Sequence, residues 1–516
     1  CERQDCCGEA VVVATDPTLS RLRRLRRERQ RGSGSNSRYT VYSVIMLLLI
    51  VGIPIFRMLV VELSSADALA VLVSPIASQV LAAMVGASCA ALVLLGRIRG
   101  PALVDAFEGE VVAGNHLPRR HTLRRTFLRS AAALTLSCML IAVVAASALA
   151  VAGIATASTA VVFVIGAVLV GIVASTGWLL GQSVSTRSSR WAAAAIAATA
   201  LLAAVVPGAL AVVPWGWFGL LYPGGGAPSV LALVPLAALV AVAGCGVPSL
   251  LDSIRGVELS AQARRWSSAT TFAATADVAG GLAQLRALPT GGRGWTAVRN
   301  APLPVLVLVR DLVGSLRSPE RPVVAALALV AAGFALASVS VVPSALAWVT
   351  AVFGATVAFL ALGVWSDGFR HAAETAHELP LYGFAVTKQF ALHSLLPILG
   401  VIVFAGSGAA AALAVGATVA SVSVSITFAL FVITVRIMNA TKGRMPLALL
   451  TPIPTPMGDF SGLIVVFWQA DALLVTAMVG FFVTVEWLSL PLLVLLLVGA
   501  GAAALVMARR NLQNAR

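Results

Sequence analysis

The sequence predicts an all-α integral membrane protein of about twelve transmembrane helices, arranged as two six-helix repeats with an amphipathic interfacial helix before each. Three observations carry this. First, the 516 residues are 59% hydrophobic and only 11% charged, whereas soluble chains have roughly a quarter of their residues charged. Second, twelve apolar stretches of about 20 residues, enough to cross a bilayer as helix, begin near Thr40, Leu69, Ala131, Thr159, Trp191, Val230, Val323, Ala345, Ser394, Thr418, Ser461 and Leu488. Third, a short polar motif recurs at the same place in each set of six. The 44 Gly and abundant Ala favour close-packed helices over the alternating strands of a barrel.

The chain then divides as follows. Residues 1–38 form an N-terminal segment in which Asp16-Pro17 caps a helix, and Leu19, Leu22 and Leu25 make a stripe among Arg21, Arg23, Arg24, Arg26 and Arg27. Such a helix lies in the interface with its Arg side chains snorkelling toward headgroups; an Arg-rich topology determinant that is otherwise disordered is the alternative. Residues 39–250 hold the first six spans, 251–304 a linker, 305–510 the second six with a preceding interfacial helix, and 511–516 a tail. In that second interfacial helix Val305, Val309, Leu312 and Leu316 share the apolar face, beside Arg310 and Arg317. The linker is Ala-rich in its middle, is punctuated by Pro289-Thr290-Gly291-Gly292, and is too short for a catalytic domain.

The net charge of +15 would raise the question of nucleic acid in a soluble chain. Threading through the spans instead gathers the cations on one side: Arg21–Arg38, Arg97–Arg129, Arg187 and Arg190, Arg255–Arg321, Arg370, Lys388, Arg436–Arg444 and Arg509–Arg516. Only Arg57 falls elsewhere. By the positive-inside rule that side is the cytoplasm, both termini are cytoplasmic, and the location is the cell membrane. No nucleic-acid partner is expected; the lipid bilayer is. Cys89, Cys138 and Cys245 lie in apolar runs and Cys1, Cys6 and Cys7 at the polar N-terminus, so no disulfide framework is read. Cys1 as an acylated lipoprotein residue would place the Arg-rich segment outside, and a clipped or mis-assigned start is preferred. The run Tyr42–Leu63 exceeds a signal-peptide core.

The duplicated motif follows the second and eighth spans. One loop carries Asp105, Phe107, Leu117 and Pro118; the other carries Asp367, Phe369, Leu379 and Pro380 at matching separations. Both add carboxylates to a basic side, Glu108 and Glu110 in one and Glu374 and Glu378 in the other. Exposed acids of this kind suit docking to a basic partner surface; balancing nearby Arg is the plainer alternative.

Catalytic signatures are missing. There is no Gly-rich phosphate loop before Thr441-Lys442-Gly443, so ATP is not hydrolysed by this chain alone and no cofactor of its own is expected. The five His (His116, His121, His371, His377, His393) lack metal-ligand spacing and read as loop residues. Two intramembrane charges remain, Arg57 and Asp471. Arg57 can snorkel outward toward Glu62 or Glu486. Asp471 is deep if its span starts at Ser461, and merely opens the span if 460–469 is interfacial. The outer segment with Trp215, Trp217, Phe218 and Tyr222 reads as an aromatic-belt loop or as a re-entrant piece shaping a pathway.

On these residues the chain resembles the membrane subunits of ABC-2-type exporters, in a fused form with both halves in one polypeptide. The resemblance rests on the amphipathic segments Leu19–Arg31 and Val305–Arg317, the two loops, and the Trp/Gly-rich outer segment. Gly100-Pro101 with Leu117-Pro118-Arg119-Arg120, Arg310-Asp311-Leu312 and Arg317-Ser318-Pro319 look like features of uncharacterised permeases from high-GC bacteria. The second half departs from the pattern in having only Glu486-Trp487-Leu488-Ser489 between its last two spans. The resemblance implies coupling helices at 105–118 and 367–380, separate ABC ATPase subunits as partners, ATP used by those partners, and export of a hydrophobic or amphipathic substrate. A proton-coupled secondary transporter, with Asp471 as carrier, and a non-transporting scaffold are the alternatives.

Overall fold

The computed structural model describes residues 34–114, 118–225, 228–274, 280–281, 284–285, 292, 294–296, 300–342, 344–377, 383, 385–443, 445–446, 449, 451, 454–455, 458–459, 461–484 and 489–514. The first interfacial segment, Leu19–Arg31, lies outside the described residues. The chain packs as two compact units, Cys1–Ser267 and Ser268–Arg516. Among the described residues, eleven helices are long and apolar enough to cross a membrane, and a twelfth, Leu346–Leu362, is followed after a 60° bend by Asp367–Glu374. The protein is an all-α, multi-pass membrane protein.

The first unit contains α1 (Val41–Leu63), α2 (Ala77–Ile98), the short α3 (Ala106–Gly114), α4 (Arg124–Val151), α5 (Ala157–Ser183), α6 (Thr186–Val205), the short α7 (Pro214–Leu220), α8 (Val230–Ser253) and the start of α9 (Gly256–Ala274). The second span starts later than the apolar run at Leu69. Residues Ala66–Leu72 form a separate short helix capped by Ser65, and Ser74-Pro75 breaks the chain before α2, since proline disfavours helical conformation in the residue before it. Helix α1 is apolar apart from Arg57 and Glu62 near its end and almost wholly exposed in the protein, with Val60 its buried residue between Ile53 and Leu63, as fits a helix surrounded by lipid.

Close packing of the first unit depends on small residues. Gly181 of α5 lies against the backbone of α2, where a Cβ would collide with the Val93 carbonyl oxygen. That permits the backbone approach on which helix association in lipid relies, because apolar side chains gain nothing there from leaving water.

The second unit contains α10 (Leu303–Leu316), α11 (Glu320–Ser338), α12 (Ser344–Leu362), α13 (Asp367–Glu374), α14 (Val386–Val415), α15 (Val419–Thr441), α16 (Ser461–Phe482) and α17 (Leu490–Asn514). A two-residue ladder pairs Pro454–Thr455 with Gly458–Asp459. One core runs from Leu329 of α11 through Phe359, Phe369, Phe428 and Val432 to Leu497 of α17. Gly408 of α14 allows the same close approach to α11 that Gly181 gives in the first unit, against Val330.

The turns between the third and fourth spans of each unit share a construction. Gly153 and Gly416 take left-handed backbone conformations (φ 74° and 97°) that glycine adopts without steric cost. Thr156 and Thr418 then cap the next helix, accepting hydrogen bonds from the Thr159 and Ser421 amides. These caps satisfy amides that have no partner within the helix.

Candidate functional site

The first loop is braced by a glutamine pair. Gln182, at the end of α5, accepts from the Ala102 amide (3.1 Å) and donates to Gln262 of α9 (3.0 Å), which in turn donates to the Gly96 carbonyl (2.9 Å). Both glutamines are buried, where a satisfied amide stiffens a junction and an orphaned one is costly. Around them Arg97 donates to the Val184 carbonyl (2.9 Å) and pairs with Glu258 at 3.5 Å. Trp178 donates to the Arg99 carbonyl (2.7 Å), and the Arg99 guanidinium lies 4.5 Å from the Trp266 ring centre. Residues 256–266 of the stretch read as linker are thus a strut beneath the first loop.

On that brace α3 presents its polar and aromatic side outward. Asp105 and Glu110 are exposed, Glu108 is half-buried, and Phe107 is 73% exposed. Glu110 faces Arg264 at 3.5 Å, with both side chains more than half exposed. Leu117 lies outside the described residues. Pro118 precedes the short helix Arg119–Thr122, whose Arg120 amide donates to Asp252 at 2.8 Å.

The second loop is built the other way. Phe369 and Ala372 of α13 are fully buried, one helical turn apart on the face toward the bundle. The Phe369 ring centre is 6.1 Å from that of Phe390. Asp367 pairs with Arg321 of α11 at 3.6 Å. Glu374 is exposed, and Glu378, Leu379 and Pro380 lie outside the described residues.

Two buried polar contacts hold this second loop. Asp311 of α10 meets His393 of α14 at 2.5 Å, with 13% and 6% of their side chains exposed. Gly368 fits against the His393 ring, where a Cβ would collide. His393 is therefore a buried tie between two helices and not the loop residue its position implied. Arg436, read from sequence as part of the basic loops, lies inside α15. Its guanidinium donates to the Phe359 carbonyl (2.9 Å) and stacks 3.7 Å from the Phe359 ring centre, contacts that offset the loss of water around the charge.

The structure answers the question about Asp471 with parts of both alternatives. Helix α16 does begin at Ser461, and Asp471 lies midway along it. Yet Asp471 is ion-paired with Lys442, the first residue beyond the end of α15. Lys442 also donates to the Trp468 carbonyl (2.6 Å) and lies 4.9 Å from the Trp468 ring centre. Asp471 is thus level with the end of a neighbouring span, with 41% of its side chain exposed and its charge compensated. Arg57 is exposed in the last third of α1; Glu486 lies outside the described residues.

The outer segment folds into the first unit rather than lying as a belt over it. Trp215, Phe218 and Tyr222 are each under 10% exposed. Phe218 stacks on Phe163 of α5 (5.0 Å), and Tyr222 meets the same ring edge-on (5.5 Å). Trp215 donates to Thr199 (3.1 Å), Trp217 to the Ala211 carbonyl (2.9 Å), and Tyr222 to the Leu72 carbonyl (3.0 Å). Burial pushes the Tyr222 phenol up to about 12, so it stays a neutral donor. Indole and phenol groups are enclosed this way only when their polar atoms find partners.

No family model matches the sequence, and no curated protein matches it. The site therefore has to be read from its own geometry. Among the described residues no group of three or more His, Cys, Asp or Glu side chains is placed to hold a metal ion. Sequence reasoning missed Gln182 and Gln262, and it named Asp311 and Arg436 without their buried contacts. For Gln182 the available signal was an uncharged polar residue at the end of an otherwise apolar helix; nothing local marked Gln262 in the polar sequence of α9. For Asp311 it was a lone acid off the apolar stripe of a helix whose other charges, Arg310 and Arg317, are basic.

Proposed function

We propose that this chain is the transmembrane subunit of an ABC-type exporter, resembling a fused ABC-2 permease, and that separate ATPase subunits drive it. The observation that carries the reading is the pair of short helices α3 and α13. Each follows the second span of its six. The buried Gln182–Gln262 pair fixes the stretch just before α3, and the buried Asp311–His393 contact, with the partly exposed Arg321–Asp367 pair, holds α13. A helix that transmits force from a partner to spans needs such anchorage at its junction with them.

The shared Gly-then-Thr turns at Gly153–Thr156 and Gly416–Thr418 support the two-repeat arrangement. The concentration of Arg at the ends carrying α3 and α13 supports placing them and both termini in the cytoplasm of a cell-membrane protein. The pairing of Asp471 with Lys442 gives that carboxylate a structural partner at the end of a neighbouring helix, which weighs against its serving as a proton carrier. The substrate that the resemblance implies is hydrophobic or amphipathic.

The test is affinity purification of the full chain from native membranes, with identification of a co-purifying ATPase that carries a phosphate-binding loop, and transport assayed with and without ATP. Association and ATP-dependent transport are expected. If no ATPase associates, and transport survives reversal of the acids in both loops, the reading fails.

A further inference from the structure

At the end of the first unit that carries α3, the cations fall into two groups. One group has protein partners. Arg97 pairs with Glu258 at 3.5 Å, Arg120 with Asp252 at 3.7 Å and Arg264 with Glu110 at 3.5 Å, while Arg99 stacks on Trp266. The other group is Arg124, Arg125 and Arg129, in the first two turns of α4. All three are exposed, and among the described residues their side chains make no hydrogen bond or ion pair. Arg125 and Arg129 are spaced i, i+4, so on the helix surface their charges repel. No acid in the first turn of α4 relieves them.

The same face of α4 continues as apolar surface. Ala132, Leu136 and Leu140 follow Arg125 and Arg129 at helical spacing. Ala132 is exposed, and Leu136 and Leu140 are 52% and 54% exposed; on a membrane span such a stripe meets acyl chains. Guanidinium groups at the end of a span reach to headgroup level, and their forked donors match phosphate oxygens. The surface thus has a phosphate-matching head in line with an apolar track. A soluble phosphate satisfies only the head, and a zwitterionic lipid brings its own cation to it. A lipid of net negative charge satisfies both parts.

We infer that α4 carries a binding site for an anionic phospholipid: the headgroup phosphate lies between Arg125 and Arg129, Arg124 adds its charge from the preceding residue, and an acyl chain runs along Ala132, Leu136 and Leu140. The bound lipid removes the repulsion where α4 leaves the first loop. The inference needs only the membrane-spanning fold and is independent of the exporter reading.

The test is native mass spectrometry of the full-length chain, purified in detergent, delipidated, and titrated with dioleoylphosphatidylglycerol or dioleoylphosphatidylcholine. Expected is a saturable phosphatidylglycerol adduct, favoured about tenfold over phosphatidylcholine and not displaced by excess glycerol 3-phosphate, which lacks the chains. One arginine near anionic lipid is worth roughly fivefold in affinity, so Arg125→Gln/Arg129→Gln should weaken phosphatidylglycerol binding about tenfold or more. The control Arg187→Gln/Arg265→Gln removes the same charge elsewhere in the first unit and should weaken it less than about twofold. Unchanged melting temperatures in phosphatidylcholine nanodiscs show that the variants fold, and the unmodified chain's lipid preference is read without them. Equal binding of the two lipids, displacement by glycerol 3-phosphate, or equal losses in the two variants overturns the inference.

Discussion

Loop 99–123 and loop 363–385 begin from the same motif and reach opposite solutions. In the second, the phenylalanine is spent inside: Phe369 packs on Phe390, Gly368 fits against His393, and Asp367 turns to Arg321. In the first, the phenylalanine is left outside, and rigidity comes from an uncharged network of Gln182, Gln262 and two backbone groups. Matching sequence spacing thus fixed where each loop lies along the chain and left open what each motif residue does. The difference follows from what lies behind the loops. The first has the amphipathic helix α9 beneath it, with Gly109 lying against Ala263. In the second the ring itself makes the contact, packing on Phe390.

The largest effect should separate the two rings. Phe369→Ala empties a fully buried aromatic site and is expected to cost about 3–5 kcal/mol of stability. Phe107→Ala, at an exposed site, should change stability by less than about 0.5 kcal/mol. Thermal unfolding of both variants in the same detergent measures the contrast, and equal losses would break it. Next is Asp311→Ala, which leaves His393 buried without its partner at a cost of about 2–3 kcal/mol; His393→Ala in the Asp311→Ala background should add little, as a double-mutant cycle would show.

In the first loop, Gln262→Leu orphans the Gln182 amide and the Gly96 carbonyl and should cost about 1–3 kcal/mol. The double change Gln182→Leu/Gln262→Leu is expected to cost less than the sum of the two single changes, read from the same melting curves. Smallest is Arg264→Ala. Its pair with Glu110 is exposed on both sides, so about 0.2–1 kcal/mol or less is expected, shrinking further as salt is raised.

The spans were legible because a bilayer demands about 20 apolar residues per helix, and that length stands out without any knowledge of packing. The second start, near Leu69, was misplaced because an apolar run continues through Ser74-Pro75 while the helix does not. The depth of Asp471 was not legible, since it depends on how far α15 extends beside α16 and on Lys442 reaching across to it. Likewise nothing local to Arg436 tells it apart from its basic neighbours; only the Phe359 carbonyl and ring, supplied from α12, make a buried position tenable. The outer aromatics were recognisable as a cluster, but their enclosure depended on Phe163, Thr199 and Leu72, contributed from elements far away in sequence.

The direct test of two unequal loops is hydrogen–deuterium exchange on the full-length chain in lipid nanodiscs. Amides of Asp367–Glu374, whose phenylalanine is buried, are expected to exchange at least tenfold more slowly than those of Ala106–Gly114, whose phenylalanine is exposed. Equal protection in the two helices would contradict the account.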